Sequence, residues 1–449
     1  MVQSSDHRNY HVSSIKTQVS KDMTKFVKIY FLGILLASML TSTAQIIAPV
    51  KTQVVKDQEG FKLIRDGKPY FVKGAGGTNR MELLVASGGN SIRTWGSNNA
   101  KGILDKAHSL GLTVTLGLDV GRERHGFNYD DTAMVRKQLD KLTKEVLLYK
   151  DHPALLMWGI GNELNLSAKN PKVWDAVNDI SKMIHGLDPN HPTTTMLAGV
   201  NKTAIAEIKV RTTDIDVLSV QTYGSLPSVP AQIAANNWTK AYLVTEWGPT
   251  GHWETKVLPW KAAIEETSSQ KAAVYRSRYE SSIGKDNNCL GSYVFLWGQK
   301  QERTPTWYGL FTEAGEGSEV LDVMQYLWSG SWPQNRAPHI ESLTLDGKQL
   351  PEAIYLSKNK DYKVASVITD PNKDKLTYRW ELLHDATRLG EGGDREERPK
   401  AISGLISENT SGNITLKSPE TPGAYRLFVY ASDGKNKVAT GNIPFYVND

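Results

Sequence analysis

Two short strings in the sequence each carry a glutamate where a β-strand would end: Trp158-Gly-Ile-Gly-Asn-Glu163 and Leu243-Val-Thr-Glu246-Trp-Gly248. Two carboxyl groups facing one pocket can divide the work of breaking a glycosidic bond. One protonates the leaving oxygen, while the other attacks the anomeric carbon or activates a water that does so. Their separation sets the stereochemistry: about 5–5.5 Å lets the second carboxylate reach the sugar and retain configuration, and a wider gap admits a water and inverts it. A lone glutamate at a strand end is most often a solvated or salt-bridged residue, so the argument rests on the pair. Asp119, Glu123, Glu254 and Glu302 are rival carboxylates in the same region, but none sits in a comparable motif.

The elements that must position such a pair can be read from the surrounding pattern. From Phe71 to Trp297, short β-branched runs alternate with amphipathic stretches, as expected when parallel strands are each followed by a helix. Eight strands are predicted: Phe71–Gly74, Ser91–Trp95, Thr113–Leu118, Leu155–Gly159, Thr193–Leu197, Val217–Gln221, Tyr242–Thr245 and Gly291–Leu296. Their near-continuous apolar character suits strands covered on both faces. Helical spacing marks Ala100–Leu110, Thr132–Tyr149, Pro171–His185, Gln270–Ile283 and Ser318–Trp328. Eight strands with intervening helices predict an α/β fold, a (β/α)8 TIM barrel, in which catalytic groups stand at the C-terminal strand ends. No glycine-rich phosphate loop follows the first strand, which argues against nucleotide binding.

By this count Asn162-Glu163 ends strand four and Glu246 ends strand seven. The order and spacing resemble clan A glycoside hydrolases, in which an Asn-Glu pair ends strand four and a lone Glu ends strand seven. Within that clan Gly89-Asn-Ser-Ile-Arg-Thr-Trp-Gly96, Gly111-Leu-Thr-Val-Thr-Leu-Gly-Leu118 and Asp151-His-Pro-Ala-Leu-Leu-Met-Trp-Gly-Ile-Gly-Asn-Glu163 look closest to the catalytic barrel of family 2 and to β-1,3-glucan-acting relatives. The resemblance implies a retaining β-glycoside hydrolase acting on a β-linked poly- or oligosaccharide, with β-glucan as one such substrate, Glu163 as acid/base and Glu246 as nucleophile. It also implies that Arg93 and Tyr223 donate hydrogen bonds to the nucleophile, that Asn162 binds the sugar 2-hydroxyl, and that Trp297 floors the reacting sugar. Trp95 and His125, with Trp247, Trp253 and Trp307, are candidates for neighbouring subsites. Family 2 enzymes usually carry β-sandwich domains before the barrel, and only about 25 residues separate the predicted leader from the first strand here, so the resemblance leaves exo and endo action both open.

Two other functions stay open. A β-glucan transglycosylase would use the same two glutamates with a sugar hydroxyl in place of water, and a non-catalytic carbohydrate-binding protein would need neither of them. A metal-dependent barrel hydrolase would need histidine and carboxylate ligands on several strand ends. No such set is present, so neither metal nor cofactor is expected.

The rest of the chain frames this barrel. Lys25 and Lys28 precede an apolar run, Ile29 to Leu40, ending in Ser42-Thr43-Ala44, the pattern of a signal peptide cleaved near Ala44, with the mature chain starting near Gln45 and Met23 as an alternative true start. About a dozen apolar residues fall short of the roughly 20 that span a bilayer, so a secreted or periplasmic protein with no transmembrane segment in the mature chain is expected. This leader holds +3 of the net charge of +5, and the remaining +2 does not suggest nucleic acid as a partner. The single cysteine, Cys289, allows no intrachain disulfide and reads as a small buried hydrophobe. Residues Ser329 to Pro338 read as a linker. The expected division is a leader at 1–44, a barrel at 45–335 and a small β-sandwich domain at 336–449, where apolar and polar residues alternate between turns. Asp370 to Leu382 resembles immunoglobulin-like modules of the polycystic-kidney-disease or cadherin-like kind. The charged run Glu391 to Lys400 reads as a solvated loop, and the module as a spacer or a body packed on the barrel.

Overall fold

The computed structural model describes residues 49–387, 389–390, 393–407 and 412–449. The predicted leader and its cleavage site lie outside the described residues. Among those residues no helix is long and apolar enough to cross a membrane.

The described chain begins with an antiparallel meander: β1 (Thr52–Lys56), β2 (Phe61–Arg65) and β3 (Lys68–Tyr70). Leu63 of this meander packs with Val72, Leu156, Val217, Leu243 and Leu290, residues near the starts of five barrel strands, so it plugs the N-terminal mouth.

Eight parallel strands then close a barrel: β4 (Val72–Gly76), β5 (Ser91–Arg93), β6 (Thr113–Leu118), β7 (Leu155–Asn162), β8 (Thr193–Ala198), β9 (Val217–Gln221), β10 (Tyr242–Trp247) and β11 (Cys289–Val294). Closure is made by β11 against β4, with Gly291 opposite Val72. Around them stand α1 (Met81–Ala86), α2 (Ala100–Ser109), α3 (Thr132–Tyr149), α4 (Lys172–Leu187), α5 (Lys202–Arg211), α6 (Val229–Ala235), α7 (Ser268–Ser281) and α8 (Glu319–Ser329). The barrel strands are buried along almost their whole length, which is why they read as apolar runs without alternation. The lumen is filled by side chains: the Tyr293 hydroxyl lies 2.7 Å from Ser91 Oγ and 2.7 Å from Thr115 Oγ1. A Cβ on Gly74 would stand 2.3 Å from the Tyr293 ring, so a glycine is required there.

The C-terminal region adds β12 (His339–Leu345), β13 (Tyr355–Ser357), β14 (Asp361–Thr369), β15 (Thr377–His384), β16 (Asn413–Lys417), β17 (Gly423–Ser432) and β18 (Val438–Asn448). They form two sheets, β12-β14-β16 and β13-β18-β17-β15, over a shared core that includes Leu345, Val364, Leu382, Leu427 and Phe445. Asp370 organises the turn before β15, its Oδ1 accepting the N–H groups of Asn372 at 2.8 Å and Asp374 at 3.0 Å.

These sheets dock on the barrel through polar groups. Ser269 Oγ accepts the Ile340 N–H at 2.8 Å, and Ser268 Oγ accepts that of Thr440 at 3.0 Å. Buried Glu265 accepts from Lys271 at 2.6 Å, Thr304 at 2.6 Å, Thr306 at 2.8 Å and Asn442 of β18 at 2.6 Å. Contact on both faces explains why β17 is buried almost throughout, where alternation was expected. The predicted linker is itself packed, with Trp332 stacked on Tyr326 at 4.6 Å and the Ala337 N–H donated to Asp322 at 2.6 Å.

Candidate active site

The C-terminal ends of the barrel strands surround a cavity of about 760 Å3. Both motif glutamates line it, as Glu163 follows β7 directly and Glu246 lies near the end of β10. The chain reaches Glu163 through two left-handed residues, Gly161 at φ 72° and Glu163 itself at φ 52°. A non-glycine residue held there costs of order 1 kcal/mol, a strain that collects at functional sites. The Glu163 N–H is fixed by the Met196 carbonyl at 2.9 Å.

Three donors converge on Glu246. The Tyr223 hydroxyl donates to Oε1 at 2.7 Å, Trp95 Nε1 donates to Oε2 at 3.3 Å, and Arg93 Nη1 donates to Oε2 at 3.4 Å. The fully buried Arg93 is anchored at 2.8 Å to the Thr245 carbonyl, and its other terminal nitrogen donates to Asn162 Oδ1 at 2.6 Å. Burial raises the Tyr223 hydroxyl well above its ordinary range, so it keeps its proton and remains a donor. This arrangement fixes the Glu246 carboxyl group in one orientation.

Glu163 sits in the opposite setting. Burial, and then the neighbouring Glu246 charge, push its carboxyl up to about 7, against the pull of Arg93, Arg124 and Arg122. One carboxyl group is therefore held as an acid beside another supplied with donors, the division of labour that acid and nucleophile require. Gln221, at the end of β9, joins the two: with its amide oxygen accepting from Arg93 at 2.7 Å, its nitrogen donates to Glu163 Oε1 at 2.8 Å.

The barrel matches the family model described as "Glycosyl hydrolases family 2, TIM barrel domain" over residues 83–275. The barrel is thus similar to the family 2 glycoside hydrolase barrels of clan A. A "Beta-galactosidase" of Arthrobacter sp. (strain B7) is 23% identical over 345 residues, covering 73% of this chain and 31% of that protein. The chain thus spans under a third of that relative. An FMN-binding beta-glucuronidase from Facaelibacterium prausnitzii L2-6 is similar in fold, with a TM-score of 0.50 at 16% identity over 89% of this chain and 59% of that one. A beta-D-glucuronidase of Dictyoglomus thermophilum gives a TM-score of 0.49 at 17% identity over 63% and 54%.

Within this family 2-like barrel, Glu163, Glu246, Asn162, Tyr223 and Trp95 all face the cavity, and Arg93 lies behind it on Glu246 and Asn162. Two predicted sugar contacts need correction. Trp297 is fully buried and packs against Phe311 at 5.3 Å and Trp328 at 5.9 Å, outside the cavity. The reason is that β11 ends at Val294, so the strand's inward and outward alternation does not extend to residue 297, and Phe295 with Leu296 lines the cavity instead. His125 stands on the rim, 3.8 Å from Asp394, and is not part of the lining. Trp247 and Trp307 are likewise buried away from the cavity, whereas Trp253 lines it.

Two rival carboxylates line the cavity but are committed elsewhere. Glu254 accepts the N–H groups of Gly224 at 2.8 Å and Gly251 at 2.9 Å, clamping two rim loops together. Burial raises the Glu302 carboxyl, but His252 and Lys300 outweigh that and hold it below its ordinary value. Cys289 is buried, and burial pushes its thiol up to about 11. Gln221 was missed by sequence reasoning although it ends a predicted strand, the position the barrel rule marks. The C-terminal residues Gly390, Gly393 and Asp394, which also line the cavity, carried no such signal.

Proposed function

We propose that the protein is a retaining β-glycosidase working by double displacement on a β-linked poly- or oligosaccharide, with Glu163 as acid/base and Glu246 as nucleophile. The observation that carries this reading is the contrast between the two carboxyl groups: Glu163 is held protonated up to about pH 7, and Glu246 receives three hydrogen-bond donors.

In the first step Glu246 attacks the anomeric carbon while Glu163 gives its proton to the departing oxygen, leaving a covalent glycosyl-enzyme. Forming that bond removes the Glu246 charge, which relaxes the like-charge pressure on Glu163 and lets it leave the first step as a carboxylate. In the second step Glu163 takes a proton from the incoming water, whose oxygen displaces Glu246 and restores both groups. Tyr223, Arg93 and Trp95 hold the Glu246 carboxylate in one orientation, so its attack needs no reorganisation. Trp95, Phe295 and Leu296 offer apolar surface to the face of a pyranose ring.

The test is to incubate the protein with β-glucans, mannans, xylans and galactans, to which the names of the relatives add aryl β-galactosides and β-glucuronides, and to follow the anomeric configuration of the first product by NMR. An activated 2-deoxy-2-fluoro glycoside should add one sugar mass to the peptide containing Glu246. First products of inverted configuration, or labelling of another carboxylate, would overturn the assignment; products longer than the substrate would mark transfer to a sugar hydroxyl.

A further inference from the structure

The rim loops of the barrel are uneven. Only four residues connect β4 to α1 and six connect β5 to α2, whereas the segments after β6, β10 and β11 are much longer. The low arc over β4 and β5 would leave the cavity open on that side. Gly390, Gly393 and Asp394, which lie between β15 and β16 of the C-terminal sheets, line the cavity there together with Glu163 and Glu246.

Both shoulders of the arc hold this connection. On the β6 side, Asp394 pairs with Arg124 at 3.4 Å and stands 3.8 Å from His125. On the β11 side, Lys300 donates to the Gly393 carbonyl at 2.7 Å, and the Arg303 N–H donates to Glu396 at 2.6 Å. Glu396 is buried and also accepts the Gly390 N–H at 2.9 Å, so one side chain ties the cavity-lining turn to the barrel. Further out, Arg398 pairs with Glu313 of the barrel and with Glu381 of β15 at 2.7 Å. The base is fixed as well, since Arg426 of β17 donates to the Ala263 carbonyl at 2.9 Å.

Among the described residues, the rim from β7 round to β10 meets the cavity through the small residues Ala198, Gly199, Thr222 and Ser225. Trp253 closes this sequence. It is 59% exposed, and its ring meets Tyr223 edge to face at 5.3 Å, an aromatic face available to a sugar.

Resting on the glycosidase reading, we infer that Gly390 and the segment Gly393–Glu396 of the C-terminal sheets form a specificity-determining wall that makes the cleft one-ended. A sugar chain enters past Trp253 and stops against Gly393 and Asp394, so the enzyme takes chain ends and short oligosaccharides rather than the interior of a polysaccharide. The C-terminal sheets are then part of the substrate site, and Glu396 is the positioning residue that sets the wall.

The experiment uses the full chain and the variants Asp394→Ala, Glu396→Ala and the volume-preserving Glu396→Gln, each checked for folding by its melting transition. Hydrogen exchange is read at residues 122–126 and 299–304, and hydrolysis of a soluble β-glucan is followed as viscosity lost per reducing end released. The expected result is that wild type shows little viscosity loss per end, that the alanine variants lose exchange protection in both segments, and that they raise viscosity loss per end at least tenfold, with Glu396→Gln between. Unchanged exchange protection would overturn the wall. Lost protection with an unchanged cleavage pattern would overturn its role in specificity. If wild type takes no label from any activated fluoro-sugar, the glycosidase reading falls and with it the role in specificity, while the exchange result still decides whether the turn is held against the barrel.

Discussion

Arg93 binds Glu246 and Asn162 with the two ends of one buried guanidinium, at 3.4 Å and 2.6 Å. A single rigid fork therefore ties the residue that ends β7 to the carboxylate on β10 across the barrel mouth. Lysine has one ammonium group on a flexible stem and cannot serve both partners. Arg93→Lys is expected to lower kcat/KM by about 10²–10³ through loss of preorganised orientation at Glu246. Steady-state kinetics beside a melting curve separate this from unfolding, since the positive charge is kept. Unaltered kinetics would remove Arg93 from the mechanism.

Tyr223 makes the shortest contact on Glu246, 2.7 Å, with a hydroxyl that burial keeps protonated. Tyr223→Phe deletes one oxygen and leaves the ring packed against Trp253 and Tyr308. A hydrogen bond to a charged acceptor contributes roughly 1.5–3 kcal/mol, so kcat should fall by about 10–150-fold with a smaller change in KM. A change confined to KM would assign Tyr223 to sugar binding instead.

Glu163 should limit activity on the alkaline side. Its carboxyl, raised to about 7, supplies the proton for the first step only below that value, so kcat/KM should fall as pH rises through about 7. The same group carries a stability signature of opposite sign to a salt-bridged carboxylate. Its folded value lies above the ordinary 4.5, so between the two the folded state binds more protons and stability falls with rising pH, by at most about 3 kcal/mol. Glu163→Gln should therefore be more stable than wild type at pH 8 and equal to it near pH 4. Parallel melting curves at the two pH values would contradict the raised carboxyl.

Glu265 joins the barrel to the C-terminal sheets, and its removal should test that joint. Burial pushes its carboxyl up, but Lys271 and the hydroxyl of Thr304 outweigh burial and hold it below its ordinary value. Glu265→Ala leaves the buried Lys271 ammonium with only the Thr306 carbonyl at 2.7 Å, a change expected to cost about 3–5 kcal/mol. With the folded value depressed, this stabilisation is present above about pH 4.5 and is lost as pH falls through the folded value. The melting difference between wild type and Glu265→Gln should shrink accordingly in acid.

The barrel was legible because its strands are buried on both faces and end in chemically distinctive residues. The predicted Thr113–Leu118 and Val217–Gln221 agree with β6 and β9 in both bounds. Three helices escaped notice for local reasons. α1 has six residues, too few for a period to register, α6 opens on Val-Pro, and α5 buries only Ala204, Ile205 and Ile208. The two glutamates stood out because an Asn-Glu and a Glu-Trp ending strands is a pattern local in sequence. The C-terminal turn was illegible for the converse reason. Glu396 and Asp394 look like any solvated charges until the fold brings Arg303 and Arg124 to them across more than 90 residues of chain. Arg426 was equally hidden inside an alternating strand: Asp385 and Asn442 hold it within the sheets, and the docked barrel adds the Ala263 carbonyl.

Trp297 and Phe295 offer the cleanest contrast between a residue read from motif and one read from shape. Trp297 Nε1 donates to the Arg80 carbonyl at 3.3 Å, and its ring lies between Phe311 and Trp328 in the layer behind the barrel. Replacing a buried tryptophan by alanine typically costs about 3–5 kcal/mol, so Trp297→Ala should melt well below wild type. Below that transition its KM should stay near the wild-type value, because no atom of the ring reaches the cavity. Phe295 sits edge to face with Trp95 at 5.9 Å and lines the cavity beside Glu246. Phe295→Ala removes apolar surface from under the sugar and should raise KM several-fold. Measured on an aryl glycoside that binds a single sugar, a KM effect at Trp297 and none at Phe295 would reverse this assignment and return the tryptophan to the sugar site.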